Sequence, residues 1–293
     1  AQVIYAEGFP ADKDLYDEKL ASEALQAAKA ADKVVIFAGL PDSFESEGYD
    51  RSHMRLPECQ NRLIAEILEV QPNTVIVLHN GSPVEMPWIN NVKGILEAYL
   101  GGQAGGAAVA NILYGIVNPS GKLAETIPVK LADNPSYLNF GGGDKVEYRE
   151  GVFVGYRYYD TFGVDVSYPF GYGGSYTSFA MSTKSVKADK DKVTVQVKVK
   201  NTGTVSGKEV AEVYFSAPDG ELDKPYQELA GYAKTDELAP GESQILTISF
   251  DTKEMGSYDT DKAAYVMEDG DYIIRVGNSS RNTPVSYTHL TLP

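Results

Sequence analysis

The sequence predicts an α/β plus all-β chain, in which a mainly parallel sheet layered with helices is followed by a β-sandwich. Three observations carry this expectation. Short apolar runs recur in the first part with helical periodicity between them. Later segments switch to period-two alternation broken by turn residues. The 293 residues, 43% of them hydrophobic and 23% charged, suffice for about two domains, each with its own core.

From Leu15 to Ala30 the residues Leu20, Ala24, Leu25, Ala28 and Ala31 share a helix face, and the run Val34–Gly39 reads as a buried parallel strand. The unit recurs as a helix from about Pro57 to Val70, a break at Gln71-Pro72-Asn73, a strand at Thr74–Leu78 and a turn at Asn80-Gly81-Ser82-Pro83. A third strand, Gly94–Tyr99, leads through Gly101-Gly102 into a helix from about Gln103 to Tyr114. Past Pro119, loops rich in Gly, Asn, Pro and Tyr run from Asp133 to Tyr176 and read as a linking segment packed on the surface of the first domain. Strands then follow at Val193–Lys200, Glu209–Ser216, Ser243–Asp251 and Asp271–Val276, which describes a sandwich. The expected domains are therefore 1–175 and 178–285. The tail 286–293 reads as a last strand or as a sequence artefact, and no element is assigned to it.

Twenty-six basic against 41 acidic residues leave a net charge of -15, which repels phosphate backbones and anionic lipid. Nucleic acid and membrane surfaces are thereby disfavoured as partners, and a neutral ligand is easily accepted. No stretch approaches the ~20 apolar residues of a membrane span. The single cysteine, Cys59, forms no internal disulfide, so cytoplasmic and secreted locations both stay open. The start, Ala1-Gln2-Val3-Ile4-Tyr5, has neither an initiator Met nor a basic signal region and reads as truncated.

The densest polar cluster, Gly39 to Arg51, follows the first strand, where open α/β sheets place their ligands. Glu47 lies there beside Gly48, with the acids Asp42, Glu45 and Asp50 nearby. Their repulsion is expected to raise a carboxyl pKa, as a general acid needs. Arg51 reads as the partner of Asp50. A solvated acidic loop is the plain alternative, and spacing does not choose between the two. Cys59 with His53 suggests a thiol pair, but a helix packed on the sheet argues for a buried inert thiol. His79 ends a strand beside Asn80 without any Gly-x-Ser-x-Gly elbow. Three scattered histidines and the absence of an Asp-rich loop predict no metal, and no cofactor is expected. Gly101-Gly102-Gln103-Ala104-Gly105-Gly106 matches neither phosphate-loop pattern, so close helix–sheet packing is its expected role. Tyr137, Phe140, Tyr148, Tyr156, Tyr158 and Tyr159 suit stacking on a sugar face or packing between domains.

Several segments, in order, carry a resemblance. They are Glu45-Ser46-Glu47-Gly48-Tyr49-Asp50-Arg51, Pro72–Val77, Gly81–Trp88, Tyr99–Gly105, Asn118–Leu123, Phe153–Asp160 and Tyr168–Gly173. Up to about Val285 the chain resembles the C-terminal part of glycoside hydrolase family 3 enzymes, most of all bacterial β-glucosidases. The resemblance implies a partial α/β sandwich followed by a fibronectin type III-like domain. It also implies that an N-terminal barrel, bearing the nucleophilic Asp and most glucose-binding residues, is missing here together with the first strands of the sandwich. Glu47 matches the family's general acid/base, with Glu45 as the second choice. The implied substrate is a small β-glucoside or oligosaccharide. Alternatives are a β-xylosidase or another exo-glycosidase of the family, or a non-catalytic carbohydrate-binding or structural module.

Overall fold

A computed structural model describes residues 2–48, 51–141, 143–283 and 285–291, the last stretch by its backbone alone. The chain divides into two compact units, Ala1–Leu113 with Val129–Leu131, and Tyr114–Pro128 with Ala132–Pro293.

The first unit runs α1 (Glu18–Ala30), β1 (Val34–Gly39), α2 (Glu58–Val70), β2 (Thr74–His79), β3 (Gly94–Glu97) and α3 (Gly105–Leu113). The three strands form one parallel sheet in the order β1-β2-β3. The helix α1 starts later than its apolar spacing suggests, because the Asp17 carboxylate accepts from the N–H groups of Lys19 and Leu20 and caps it there. Its buried stripe is Ala21, Ala24 and Ala28, small residues that permit close approach to a neighbour. The helix α2 begins at Pro57, which has no side chain to cap it. Asp14 supplies the cap from far away in sequence, accepting from Glu58 N at 3.0 Å and Cys59 N at 2.9 Å. Burial pushes the Asp14 carboxyl up, yet these two hydrogen bonds, a third from the Cys59 thiol and the His53 charge together leave the pKa lowered.

The strand β1 differs from the expectation of full burial. Ile36 and Ala38 are buried, but Val35 and Phe37 are 40% and 55% exposed on the opposite face. The glycine run before α3 also has another role than the expected helix–sheet packing, since added Cβ atoms at Gly105 and Gly106 meet nothing within 4 Å. What the run requires is the left-handed backbone of Gly102, at φ +62, and the close approach of Gly101 to the backbone of Gly105. A turn of 3-10 helix at Gly102–Ala104 therefore precedes α3, and α3 buries only Val109.

The second unit holds β4 (Ile127–Pro128), α4 (Tyr156–Thr161), β5 (Val166–Tyr168), β6 (Phe179–Ala188), β7 (Lys192–Asn201), β8 (Val210–Ser216) and β9 (Glu228–Lys234). It continues with β10 (Ser243–Asp251), β11 (Ser257–Asp259), β12 (Ala264–Val266), β13 (Asp271–Gly277) and β14 (Val285–Thr291). Antiparallel sheets of order β10-β7-β6 and β14-β13-β8-β9 enclose a core of Val193, Val195, Val197, Val199, Ala211, Val213, Phe215, Ile248, Ile274 and their neighbours. The strand β14, to which sequence reasoning assigned no element, pairs with β13. Asn201, fully buried at the end of β7, accepts from Thr177 Oγ1 and Gly203 N and donates to the carbonyls of Val205 and Leu238.

In β8 every residue is buried, although only Ala211, Val213 and Phe215 point into the core. On the other face the Tyr156 ring meets Tyr214, and Gly171 lies so close to the Glu212 carboxylate that a Cβ there would stand 2.3 Å from it. Tyr156 stacks on Phe170 at 4.7 Å, and its hydroxyl accepts from Leu229 N. Lys122 pairs with Glu209 at 2.8 Å and donates to Asn278 O. Arg281 reaches Asp160 and the carbonyls of Tyr159 and Val164. Of the linker aromatics, Tyr156 and Tyr159 are therefore buried, whereas Tyr137, Phe140 and Tyr148 are exposed. Burial pushes Tyr159 up to about 12.

Glu212 is buried on this face and accepts from Tyr214 Oη at 2.5 Å. Burial pushes its carboxyl above the ordinary 4.5, with Glu209 adding to the effect and Tyr214 and Lys122 opposing it. A folded-state pKa above the unfolded one means that the folded state holds its proton longer. This group's contribution to stability is therefore present below about 4.5 and is lost as pH rises through the folded value. Glu212→Gln keeps an acceptor for Tyr214 and removes the charge. By calorimetry its midpoint should exceed that of the unchanged chain by ~2–4 °C at pH 8, and the gap should close as pH falls toward 4.5.

Candidate active site

The site begins where β1 and β2 end. Their register pairs Gly39 with His79, so both strands stop at one level. A Cβ at residue 39 would lie 2.0 Å from His79 O, so only glycine fits there. The buried Gln60 amide, in the first turn of α2, accepts from Gly39 N and donates to Gly39 O, both at 3.0 Å. It serves the end of β1 as a neighbouring strand would.

The chain leaves this edge at residue 40, and the described residues up to 57 belong to no further helix or strand. Leu40 N donates to His79 O, and a turn closes with Phe44 N and Glu45 N donating to Pro41 O. The chain then docks on the loop after β2. Glu45 accepts from Gly81 N at 2.7 Å through Oε2 and from Ser82 Oγ at 2.5 Å through Oε1. Gly81 permits this approach, since a Cβ there would stand 3.1 Å from the Glu45 carboxylate. Arg51 Nη2 donates to the same Ser82 Oγ at 2.8 Å and to Pro83 O at 3.0 Å. Burial lowers the Arg51 pKa, and the Glu45 charge opposes that. Further on, Glu85 N donates to Met54 O, and the backbones of Arg55 and Glu85 pair in an isolated parallel β-bridge. Leu56 is buried.

Glu47 lies between the two anchors Glu45 and Arg51. It is exposed, and Gly48 beside it has φ +99. Glu45 is arranged differently from the simple acid neighbour that the sequence suggests, since both its oxygens accept hydrogen bonds from the β2 loop. Tyr49 and Asp50, and with them the expected Arg51–Asp50 pair, lie outside the described residues.

The remaining candidates take supporting places. His79 stacks on Phe37 at 6.3 Å, and its Nδ1 lies 3.3 Å from Tyr99 O. Asn80, 1% exposed, donates to Ser82 O at 3.0 Å and to Glu97 Oε2 at 3.4 Å. Its Oδ1 has no hydrogen-bond partner among the described residues. Glu97 also accepts from Tyr99 N, which holds Tyr99 at φ +47, a conformation costing about 1 kcal/mol or more for a bulky residue. Ser82, Gln60 and Glu97 escaped the sequence reading. Gly81-Ser82-Pro83 had only its turn character to offer, and nothing local marked its contact with Glu45.

Cys59 and His53 form no pair. The thiol is buried with Sγ 3.8 Å from Lys13 O, while His53 accepts from Arg55 N and lies beside Phe44. A groove of about 490 Å³ lies elsewhere, between α2 and residues 87–91, with Asn61 and Trp88 on its wall. No candidate residue lines it, and the polar chemistry at the strand ends is the better guide to a site. Among the described residues no group of three His, Cys, Asp or Glu gathers to hold a metal, and no helix is long and apolar enough to cross a membrane.

An exposed glutamate on an anchored loop thus stands at the carboxyl edge of the sheet, where open α/β sheets bind their ligands. Comparison with known proteins gives the class. Residues 6–156 match the Glycosyl hydrolase family 3 C-terminal domain and residues 209–280 a Fibronectin type III-like domain. The chain belongs to glycoside hydrolase family 3. It is 52% identical to the thermostable beta-glucosidase B of Acetivibrio thermocellus over 96% of its own length and 38% of that protein. It is 42% identical to an exo-alpha-(1->6)-L-arabinopyranosidase of Bifidobacterium breve, over 97% of this chain and 38% of that one. In structure it is similar to a β-glucosidase of Bifidobacterium adolescentis, with TM-score 0.95 and 41% identity over 99% of this chain and 43% of that one. It is also similar to the Kluyveromyces marxianus β-glucosidase solved with glucose, with TM-score 0.89 and 39% identity over 94% of this chain and 34% of that one. The chain thus spans little more than a third of the curated relatives' length.

Burial and a hydrogen bond to Asp14 push the Cys59 thiol up to about 11. Its reaction with a disulfide reagent at pH 7.5 should be at least ~100-fold slower in the folded chain than in denaturant. Comparable rates would contradict this packing.

Proposed function

We propose that this chain is the acid/base-bearing part of a retaining, exo-acting β-glucosidase that releases glucose from terminal β-D-glucosides. The carrying observation is Glu47 itself, an exposed carboxylate on a loop anchored at the carboxyl edge of the sheet. The relatives named above support the sugar.

Retaining hydrolysis needs two carboxyl groups about 5–5.5 Å apart. The nucleophile, in this reading, is an Asp of a barrel outside this sequence. It attacks the anomeric carbon while the Glu47 carboxyl protonates the departing oxygen. The resulting Glu47 carboxylate then takes a proton from water, which displaces the enzyme's carboxylate from the sugar. An exposed, solvated side chain suits this double duty because it must exchange a proton with substrate and water in turn. Glu45 serves less well, since Gly81 N and Ser82 Oγ already occupy its oxygens. A second reading, another exo-glycosidase of the family, draws on the arabinopyranosidase relative, and a panel of aryl glycosides separates the two.

In the full-length enzyme, Glu47→Ala should slow aryl glucosides with poor leaving groups by ~10²–10⁴-fold. It should spare kcat/KM for dinitrophenyl glucoside but lower its kcat, because the intermediate then lacks a general base, and azide should restore that kcat by forming the glycosyl azide. A uniform loss across leaving groups would remove Glu47 from the role. The chain by itself, which offers one carboxyl group of the two, should show no turnover of an aryl β-glucoside above the level of its Glu47→Gln variant.

A further inference from the structure

We propose that Ser82, with Glu45 and Arg51, forms a clasp that positions Glu47, an inference that rests on the acid/base role above. One hydroxyl ties both ends of the segment, as Ser82 Oγ donates to Glu45 and accepts from Arg51. Gly81 N and Pro83 O add one bond at each end, to Glu45 and from Arg51. The two anchors flank Glu47 in the chain, Glu45 two residues before it and Arg51 four residues after it. Shortening a loop between fixed ends removes conformations in which its side chains point elsewhere. Glu47 is exposed and makes no hydrogen bond of its own among the described residues, so the anchors in its own chain are what restrict it. The Glu45 and Arg51 charges also neutralise one another across the hydroxyl, which keeps the clasp from repelling the catalytic carboxylate. Ser82, Glu45 and Arg51 are positioning residues and do not touch the reacting atoms.

A merely structural clasp would affect all substrates alike when broken, whereas a positioning clasp affects proton donation. In the full-length enzyme, Ser82→Ala should lower kcat/KM by about tenfold or more for aryl glucosides with poor leaving groups, and by less than about twofold for dinitrophenyl glucoside. Ser82→Thr keeps the hydroxyl and should restore at least half of the loss. Hydrogen exchange should quicken in residues 43–48 of Ser82→Ala. Glu47→Gln, measured in parallel, separates the two claims. If it shows the graded loss while Ser82→Ala shows a uniform loss or none, the clasp is refuted and the acid/base role stands. If Glu47→Gln itself shows a uniform loss, the acid/base role fails and the clasp with it. Should Ser82→Ala fail to fold, Glu45→Gln carries the same comparison, with a graded loss supporting the clasp and a uniform loss or none refuting it.

Discussion

The flush ending of β1 against β2 is the constraint from which the rest of the site follows. Gly39 sits so close to His79 O that no side chain is admitted, and the Gln60 amide closes both free backbone groups at that point. A strand end left open would let the following loop start anywhere along the edge. Here residue 40 starts at a defined height, bonded to His79 O, and the loop turns at once through Pro41. Position at the rim is therefore inherited from pairing in the sheet, and the loop needs few further contacts to present an exposed side chain.

The second unit solves a different problem, covering a strand that carries charge on its outer face. Glu209 and Glu212 both lie buried at or beside β8, and Lys122, Asn278 and Tyr214 answer them. Such buried pairs add little net stability over an apolar packing, because desolvation cancels most of the attraction. Their effect is selectivity of arrangement. Lys122 on Glu209 and Asn118 on the Ser206 carbonyl tie the segment of residues 118–123 to the sandwich.

The sequence patterns revealed the strands with clear period two, such as β7 and β10, and the apolar β2 between its break and turn. They misjudged the face of β1. A run of Val, Ile and Phe reports suitability for a strand but says nothing of which side is covered, and Val35 and Phe37 turned out exposed. They also misplaced the start of α1, where the cap at Asp17 outweighs the periodicity of Leu15 and Leu20. The contacts that organise the candidate site were invisible in local pattern because they join distant residues: Asp14 with α2, Gln60 with Gly39, and Glu45 and Arg51 with Ser82. Glu47 itself was legible as a candidate from its polar loop, yet only the family resemblance raised it above Asp42, Glu45 and Asp50.

Asn201 shows how narrow the tolerance of a single buried position becomes. Its amide gives two protons to carbonyls and takes two from a hydroxyl and a backbone N–H. Aspartate has the same shape, but in its ionised form it would turn oxygen lone pairs toward the carbonyls of Val205 and Leu238, 2.8 Å away. Leucine would strand four polar groups away from water. Drift at this codon is thus closed to the nearest replacements by chemistry and by shape alike, and the bend that follows β7 keeps its spacing for as long as the amide stays.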